Sequence, residues 1–292
     1  MITYTIYIPI KIAAFWLGGI LGLAISASAF HLLNLVLQYF YLEKYCTDSR
    51  RPAVQVNDDF SRHSKLQDIG RWYVTRFVEN VAKSLSPGSS VLDAGAGECS
   101  YKRLFSHCEY KAIDLGVGET SWNYGNLDYV AALHDMPIES NSFDAVLCTQ
   151  VLEHLEWPRE SVKEMYRVLK PGGRLFLTAP MSHSEHQVPY DFFRYTSFGL
   201  RSICEHAGFK ELEICPFGGR WTRWAYEMPR CLSAFPASGI RTGRPNVAGI
   251  LLLPVKLVVS LTVPLLQRFF LALDELDKSR NDPFGWSLAG RK

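Results

Sequence analysis

No CxxC pair occurs in this sequence, and its seven cysteines are scattered and odd in number. Neither a zinc ribbon nor a disulfide framework has support, and reduced thiols in a cytosolic domain are the simplest reading. There is no excess of one charge: Lys+Arg 31 stands against Asp+Glu 29, a net charge of +2. A broad nucleic-acid-binding surface needs clustered surplus cations, so no nucleic-acid partner is expected. Low-complexity sequence is missing too. Gly 21 and Pro 15 in 292 residues are ordinary counts, which excludes collagen-like chains. No internal repeat is visible. What is present is a hydrophobic fraction of 48% against 21% charged, enough apolar side chain for a folded core. The length suits one large domain or two modest ones.

Two apolar stretches stand apart from these averages. Residues 12–42 contain no Asp, Glu, Lys or Arg. That run exceeds the roughly 20 residues that cross a bilayer as a helix, and it is too long for a signal-peptide core. Tyr39, Phe40, Tyr41 and Tyr45 at its end suit a headgroup belt. Lys44, Arg50 and Arg51 follow it, so the positive-inside rule places the remainder of the chain in the cytosol. Residues 1–45 are therefore expected to be a single transmembrane anchor, with the bilayer as a partner. The second stretch, 245–273, carries Lys256, Arg268, Pro254 and Pro264. Lys256, Ser260 and Gln267 fall near one helical face, a narrow polar stripe that suits the membrane interface or burial against the protein. The two prolines are expected to break it into short helices, and the segment is expected not to cross the bilayer.

Between them lies an α/β pattern. Residues 90–94, 110–115, 143–149 and 174–179 read as strands, the last announced by Pro171-Gly172-Gly173. Residues 158–170 read as a helix with Pro158 in its first turn and Val162, Met165, Tyr166 and Leu169 on one stripe. Residues 197–206 read as another, from a Thr196 cap to Gly208. Alternation of this kind implies a mostly parallel, doubly wound sheet with helices on both faces.

The main chemical signal is Val91-Leu92-Asp93-Ala94-Gly95-Ala96-Gly97 at a strand end. Glycines there let the backbone approach a ligand, and such strand ends are where doubly wound sheets bind cofactors. Asp114 ends the next strand about 20 residues on, where a carboxylate can accept hydrogen bonds from ribose hydroxyls. A nicotinamide site is disfavoured, because the third glycine of Gly-x-Gly-x-x-Gly is missing and Asp93 would face pyrophosphate. Beside a sulfonium and an ammonium group, Asp93 is favourable. Tyr166 and Lys170 have the spacing of a dehydrogenase pair, but Tyr166 belongs to the apolar stripe of its helix.

The order VLDAGAG, AIDL, HDMPIESNSFDAVLCTQVLEHL, EMYRVLKPGGRLFLTAP resembles the class I S-adenosylmethionine-dependent methyltransferases, of the type 11-like group, over about half the chain. The resemblance implies a Rossmann-like seven-stranded sheet and S-adenosyl-L-methionine as cofactor. It implies Asp93, Gly95 and Gly97 at the methionine end, Asp114 at the ribose, Asp135 and Met136 at the adenine, and Gln150 near the sulfonium. Cys99 stands where a third glycine is frequent in the family. The closing segment from Asp282 to Lys292 resembles the family's last strand, which inserts antiparallel beside the strand read here as 210–216.

Methyl transfer from a sulfonium is an in-line displacement, so the protein chiefly aligns its reactants. A base is needed only if the acceptor must lose a proton early. His154 and His186 are the candidate catalytic residues, and His183, Tyr190, Asp191 and Arg194 the candidate acceptor-binding residues, on loops that follow the fourth and fifth strands; for Asp191 and Arg194 a local ion pair that holds the loop is the other reading. Two histidines with Glu185 on one loop are weak evidence for a metal, and none is expected. The expected organisation is an anchor (1–45), a linker and first helix (46–86), a methyltransferase core (87–217), a membrane-proximal helical insertion (218–280) and a closing strand (281–292). The expected activity is methyl transfer to a membrane-associated acceptor: a lipid, a quinone-like molecule or a lipid-linked glycan. A non-catalytic binding module on the same fold is the alternative.

Overall fold

The computed structural model describes residues 66, 68–118, 122–236 and 246–292. All of them fall within one compact unit, Ala53–Lys292. The expected transmembrane anchor, residues 1–45, lies outside the described residues.

Seven strands form one sheet: β1 (Ser90–Ala94), β2 (Glu109–Asp114), β3 (Tyr129–Val130), β4 (Phe143–Thr149), β5 (Leu169–Pro180), β6 (Lys210–Phe217) and β7 (Gly285–Arg291). Their order is β3-β2-β1-β4-β5-β7-β6. Pairings from β3 to β5 are parallel, and β7 runs antiparallel to both neighbours. The strand order reverses between β1 and β4, which opens a crevice at their carboxyl ends.

The central strands are apolar on both faces, and the structure shows why. Leu92, Val146, Leu175 and Leu177 point to one core, shared with Val162 and Met165 of α2 (Pro158–Val168) and Leu200 and Cys204 of α3 (Ser197–Ala207). Their sequence neighbours Val91, Ala145, Leu147 and Phe176 point the other way, against Val74, Val78 and Val81 of α1 (Ile69–Ser84). Near-continuous apolar runs are what a sheet buried on both sides requires. The helix ends carry ordinary signals. Asp68 caps α1 by accepting the Arg71 amide at 2.9 Å, and Thr196 caps α3 by accepting that of Gly199 at 3.1 Å. Gly208 closes α3 at φ +110°, a conformation that other residues resist.

The largest boundary difference from the sequence reading lies between α2 and β5. The helix expected over 158–170 ends at Val168, and β5 already begins at Leu169. Between the pairs Phe143↔Leu169 and Ala145↔Arg174, β4 advances two residues while β5 advances five. The surplus loops out at Pro171-Gly172-Gly173, with Gly172 at φ +77°.

Between β6 and β7 the chain forms α4 (Arg220–Glu227), a 3-10 segment (Met228–Ala234), α5 (Val247–Leu251) and α6 (Leu253–Leu276). Pro264 lies inside α6 and does not end it, contrary to the expectation of short helices. A proline removes one backbone bond, and the helix continues through it. Pro254 sits in the first turn, where it is tolerated. α6 has the length and apolarity to cross a bilayer. However, the strands on either side of the insertion are hydrogen-bonded neighbours, from Phe217↔Gly285 to Lys210↔Arg291. A single crossing by α6 would separate them, so the sheet forbids it.

Candidate active site

A cavity of ≈ 570 Å³ opens at the carboxyl ends of β1, β2 and β4. Its floor is built by the glycine turn after β1. The amides of Gly95 and Ala96 donate to the Ile113 carbonyl at 2.8 and 3.2 Å. Gly95 adopts φ +84°, and a Cβ there would come within 2.4 Å of the Val151 side chain. Both the conformation and the space require glycine. Gly97 donates its amide to one Asp114 carboxylate oxygen at 3.0 Å, while Gly116 donates to the other at 2.8 Å. Asp114 thus braces the loop as well as facing the cavity.

Asp93 is 2% exposed, and its carboxylate accepts the Tyr110 hydroxyl at 2.5 Å. Burial pushes its carboxyl up to about 7, against the Tyr110 bond, with Asp114 adding to the rise. A cationic ligand beside it would restore the ionised form. A carboxylate of this kind, a glycine cradle with no room for Cβ and a second carboxylate one strand away fit the methionine and ribose ends of S-adenosylmethionine.

The far wall comes from the loops after β4 and β5. Gln150 takes φ +54°, and its side-chain amide donates to Thr178 Oγ1 at 3.1 Å. A 3-10 turn, Leu152–His154, follows. His154 Nδ1 lies 2.5 Å from the Tyr190 carbonyl; that oxygen only accepts, so Nδ1 carries the proton and Nε2 keeps its lone pair. Burial lowers the pKa of His154, holding it neutral. The His186 ring centre lies 4.7 Å from that of His154 and 4.3 Å from that of His183.

The structure therefore gathers Asp93, Gly95, Gly97, Asp114, Gln150, His154, His183, His186 and Tyr190 around one cavity. It leaves four expected residues off that surface. Asp135 is exposed, and Met136 is 4% exposed within the core. The backbone of Met136 is tied down by Glu164 and Arg167, and the neighbours Ala132, Leu133 and His134 line the wall instead. Asp191 and Arg194 pair with each other at 2.6 Å. Arg194 also donates to the carbonyls of His183 and Ser184, each at 3.0 Å, and Asp191 accepts the His186 amide at 2.9 Å. They hold the histidine loop in place from behind.

Sequence reasoning missed two contributors and left the place of a third open. Tyr110 reaches Asp93 only through the parallel pairing of β1 with β2, which leaves no local signal. Trp122 lies against Gly97 and Gly118 on the cavity rim. Tyr226 of α4 lines the wall together with Phe284, their rings 4.3 Å apart, and the His183 ring lies 5.7 Å from Tyr226. In the sequence, Trp221, Trp224 and Tyr226 stand out as an aromatic cluster suited equally to a substrate wall or a membrane interface, and the fold brings Tyr226 to the cavity.

The dehydrogenase reading fails on position. Tyr166 packs edge-on against Phe209 at 5.1 Å. Lys170 bonds Asp144 at 2.9 Å and Ser90 at 3.1 Å, at the amino ends of β5, β4 and β1, opposite the cavity.

Residues 92–177 match the family model described as a methyltransferase domain. The core of this chain is a class I S-adenosylmethionine-dependent methyltransferase domain. The chain is 31% identical over 162 residues to demethylmenaquinone methyltransferase of Paenarthrobacter aurescens, covering 52% of this chain and 62% of that protein. It is 30% identical over 172 residues to ubiquinone/menaquinone biosynthesis C-methyltransferase of Brucella canis, covering 51% of this chain and 63% of that protein. The match thus spans under two thirds of each relative. A solved S-adenosylmethionine-dependent methyltransferase from Archaeoglobus fulgidus is 16% identical, with a TM-score of 0.48 over 78% of this chain and 96% of its own.

Proposed function

We propose that the methyltransferase domain acts on a lipid-soluble acceptor, quinone-like or lipid-linked, at a membrane surface. One observation carries this reading: the polarity of α6 is reversed. Its polar residues Gln267 and Asp274 face the protein. Gln267 donates to the Ala225 carbonyl at 3.0 Å, and Asp274 accepts the amides of Gly219 and Thr222, each at 3.0 Å. Its outer face is mainly apolar, with Leu257, Leu261, Leu265 and Phe269 exposed and Leu261 at 67%, and with Arg268 and Glu275 as exposed charges in its second half. A helix that hides its polar side and shows its apolar side suits lipid rather than water.

That helix is close to the cavity through α4. Trp221 of α4 stacks on Phe270 of α6 at 5.8 Å, and Tyr226 of the same α4 lines the cavity wall. An acceptor dissolved in the bilayer would meet the site beside this insertion. The apolar run 12–42 supports the same placement as a single anchor with the domain on the cytosolic side, which raises the effective concentration of a membrane-bound acceptor. The quinone methyltransferases among the relatives agree with a quinone-like class.

S-adenosylmethionine supplies an activated methyl group when bound. The chain's residues orient and desolvate. Asp93 and Asp114 fix the cofactor's charged and hydroxylic ends, and His154, held through Nδ1 by the Tyr190 carbonyl, presents its Nε2 lone pair in the cavity wall. Membranes containing the full chain, incubated with methyl-labelled S-adenosylmethionine, should place label in an organic-extractable product. Label confined to water-soluble products would overturn the acceptor class.

A further inference from the structure

We propose that Glu153, His154 and His186 form a binding site for a divalent transition-metal ion at the acceptor end of the cavity, with open coordination positions that take an oxygen of the acceptor. The ligand atoms of these three residues all lie within 4.8 Å of one another. Around an ion with bonds of about 2.0–2.2 Å, neighbouring ligands sit about 3–3.6 Å apart. Small side-chain movements therefore close the set.

Two independent features point at an ion. The first is Glu153. It is 1% exposed, and its Oε2 has no hydrogen-bond partner among the described residues. A buried carboxylate with a bare oxygen is costly unless a cation or a donor meets it. Its other oxygen lies 3.9 Å from His154 Nε2. The second is the orientation of the rings. His154 Nδ1 is held by the Tyr190 carbonyl at 2.5 Å, and His186 Nδ1 by the Ser184 carbonyl at 3.1 Å. Metal-bound histidines are oriented in this manner, with Nδ1–H spent on a carbonyl and the Nε2 lone pair left for the ion. The Asp191–Arg194 pair then serves as outer support, because Asp191 accepts the His186 amide and lies 3.4 Å from its ring.

Sequence alone groups His183 and His186 with Glu185, on one loop. The fold instead brings Glu153 and His154, from the turn after β4, to His186, from the loop after β5. Two imidazoles and one carboxylate suit Zn²⁺, Mn²⁺, Fe²⁺ or Co²⁺, whereas Mg²⁺ and Ca²⁺ favour all-oxygen sets. Three protein ligands leave positions free, as in catalytic rather than structural sites. The role of the ion rests on the methyl-transfer reading: a ring or chain hydroxyl bound to it would be fixed in place and made more acidic.

The test uses the full chain in detergent, stripped with chelator and titrated with Co²⁺ while visible absorption and S-adenosylhomocysteine affinity are read. One tightly bound Co²⁺ per chain, with the d–d bands of a nitrogen- and oxygen-ligated ion, is expected. Glu153→Gln, His154→Ala and His186→Ala should each weaken Co²⁺ binding at least about tenfold to a hundredfold, while His206→Ala on the surface of α3 leaves it unchanged. His186 is partly exposed, so its substitution serves if the Glu153 variant does not fold. Absence of a stoichiometric band, or Co²⁺ binding unaltered by both histidine substitutions, would overturn the site. Failure to bind S-adenosylhomocysteine with Co²⁺ binding intact would instead count against the methyltransferase reading and leave the metal site standing.

Discussion

Asp93 shows how one residue can serve function at the expense of stability. Its carboxyl is raised from 3.8 to about 7 by burial, so the folded chain prefers it protonated. The associated stability is fully present below pH 3.8 and is lost as the pH rises through about 7. Asp93→Asn removes that dependence. The unliganded variant should melt above the native protein at about pH 8, with the gap closing toward about pH 4, as followed by thermal unfolding across that range. A native protein that melts lower than the variant at all pH values alike would refute the assignment. Gly95 carries a different constraint. Gly95→Ala places a methyl group 2.4 Å from Val151 at φ +84°. It should cost about 1–3 kcal/mol of stability and open the cofactor cradle, seen as a lower melting temperature and weaker S-adenosylhomocysteine binding. At this scale much was legible: the glycines, Asp93 and Asp114 announce themselves by spacing. The partner of Asp93 did not, because Tyr110 is brought to it by strand pairing alone.

Among the elements, α4 and α6 are joined by a buried carboxylate. Asp274 accepts the Gly219 and Thr222 amides at the start of α4 and pairs with Arg280. It therefore caps a helix that has no side-chain cap of its own. Asp274→Ala should destabilise the protein by about 2–4 kcal/mol, measured by denaturant unfolding, and the loss should carry into the cavity because Tyr226 rides on α4. The opposite face of α6 makes the complementary prediction. Leu257→Glu combined with Leu261→Glu alters two exposed positions and should leave folding and cofactor affinity unchanged. The pair should lower the yield of labelled lipid-phase product severalfold. Equal product yield from native and double-mutant membranes would rule out α6 as a lipid-facing surface. The sequence showed the polar stripe of this helix, but two readings of it were open. The structure splits it: Gln267 is buried against the Ala225 carbonyl and Asp274 is buried two turns on, while Lys256 and Ser260 stay partly exposed. Likewise Pro264 read as a break, since proline's local penalty is visible in sequence whereas the packing of α6 on α4 is not.

For the whole molecule, the sheet order determines the rest. β7 lies between β5 and β6, so the last residues of the chain complete a sheet whose other strands precede the insertion. The insertion is thereby fastened at both ends to the catalytic core. Alternating strands and helices made the sheet legible, and the apolar strand runs implied burial on both faces. The acceptor side was less so. His154, His183 and His186 were identifiable as residues, whereas Asp191 and Arg194 pair with each other behind the histidine loop; on the adenine side, Met136 is drawn into the core by Glu164 and Arg167 of α2. The most direct measurement is calorimetry of S-adenosylhomocysteine binding to the full chain at about pH 6 and about pH 8, in buffers of different ionisation enthalpy. One ligand should bind per chain, about tenfold more tightly at the higher pH, with proton release at the lower one as Asp93 ionises. Asp93→Asn should abolish the pH dependence, and Asp114→Ala should weaken binding by about 1–3 kcal/mol. No binding by the native chain, or binding indifferent to both substitutions in folded proteins, would contradict the cofactor site.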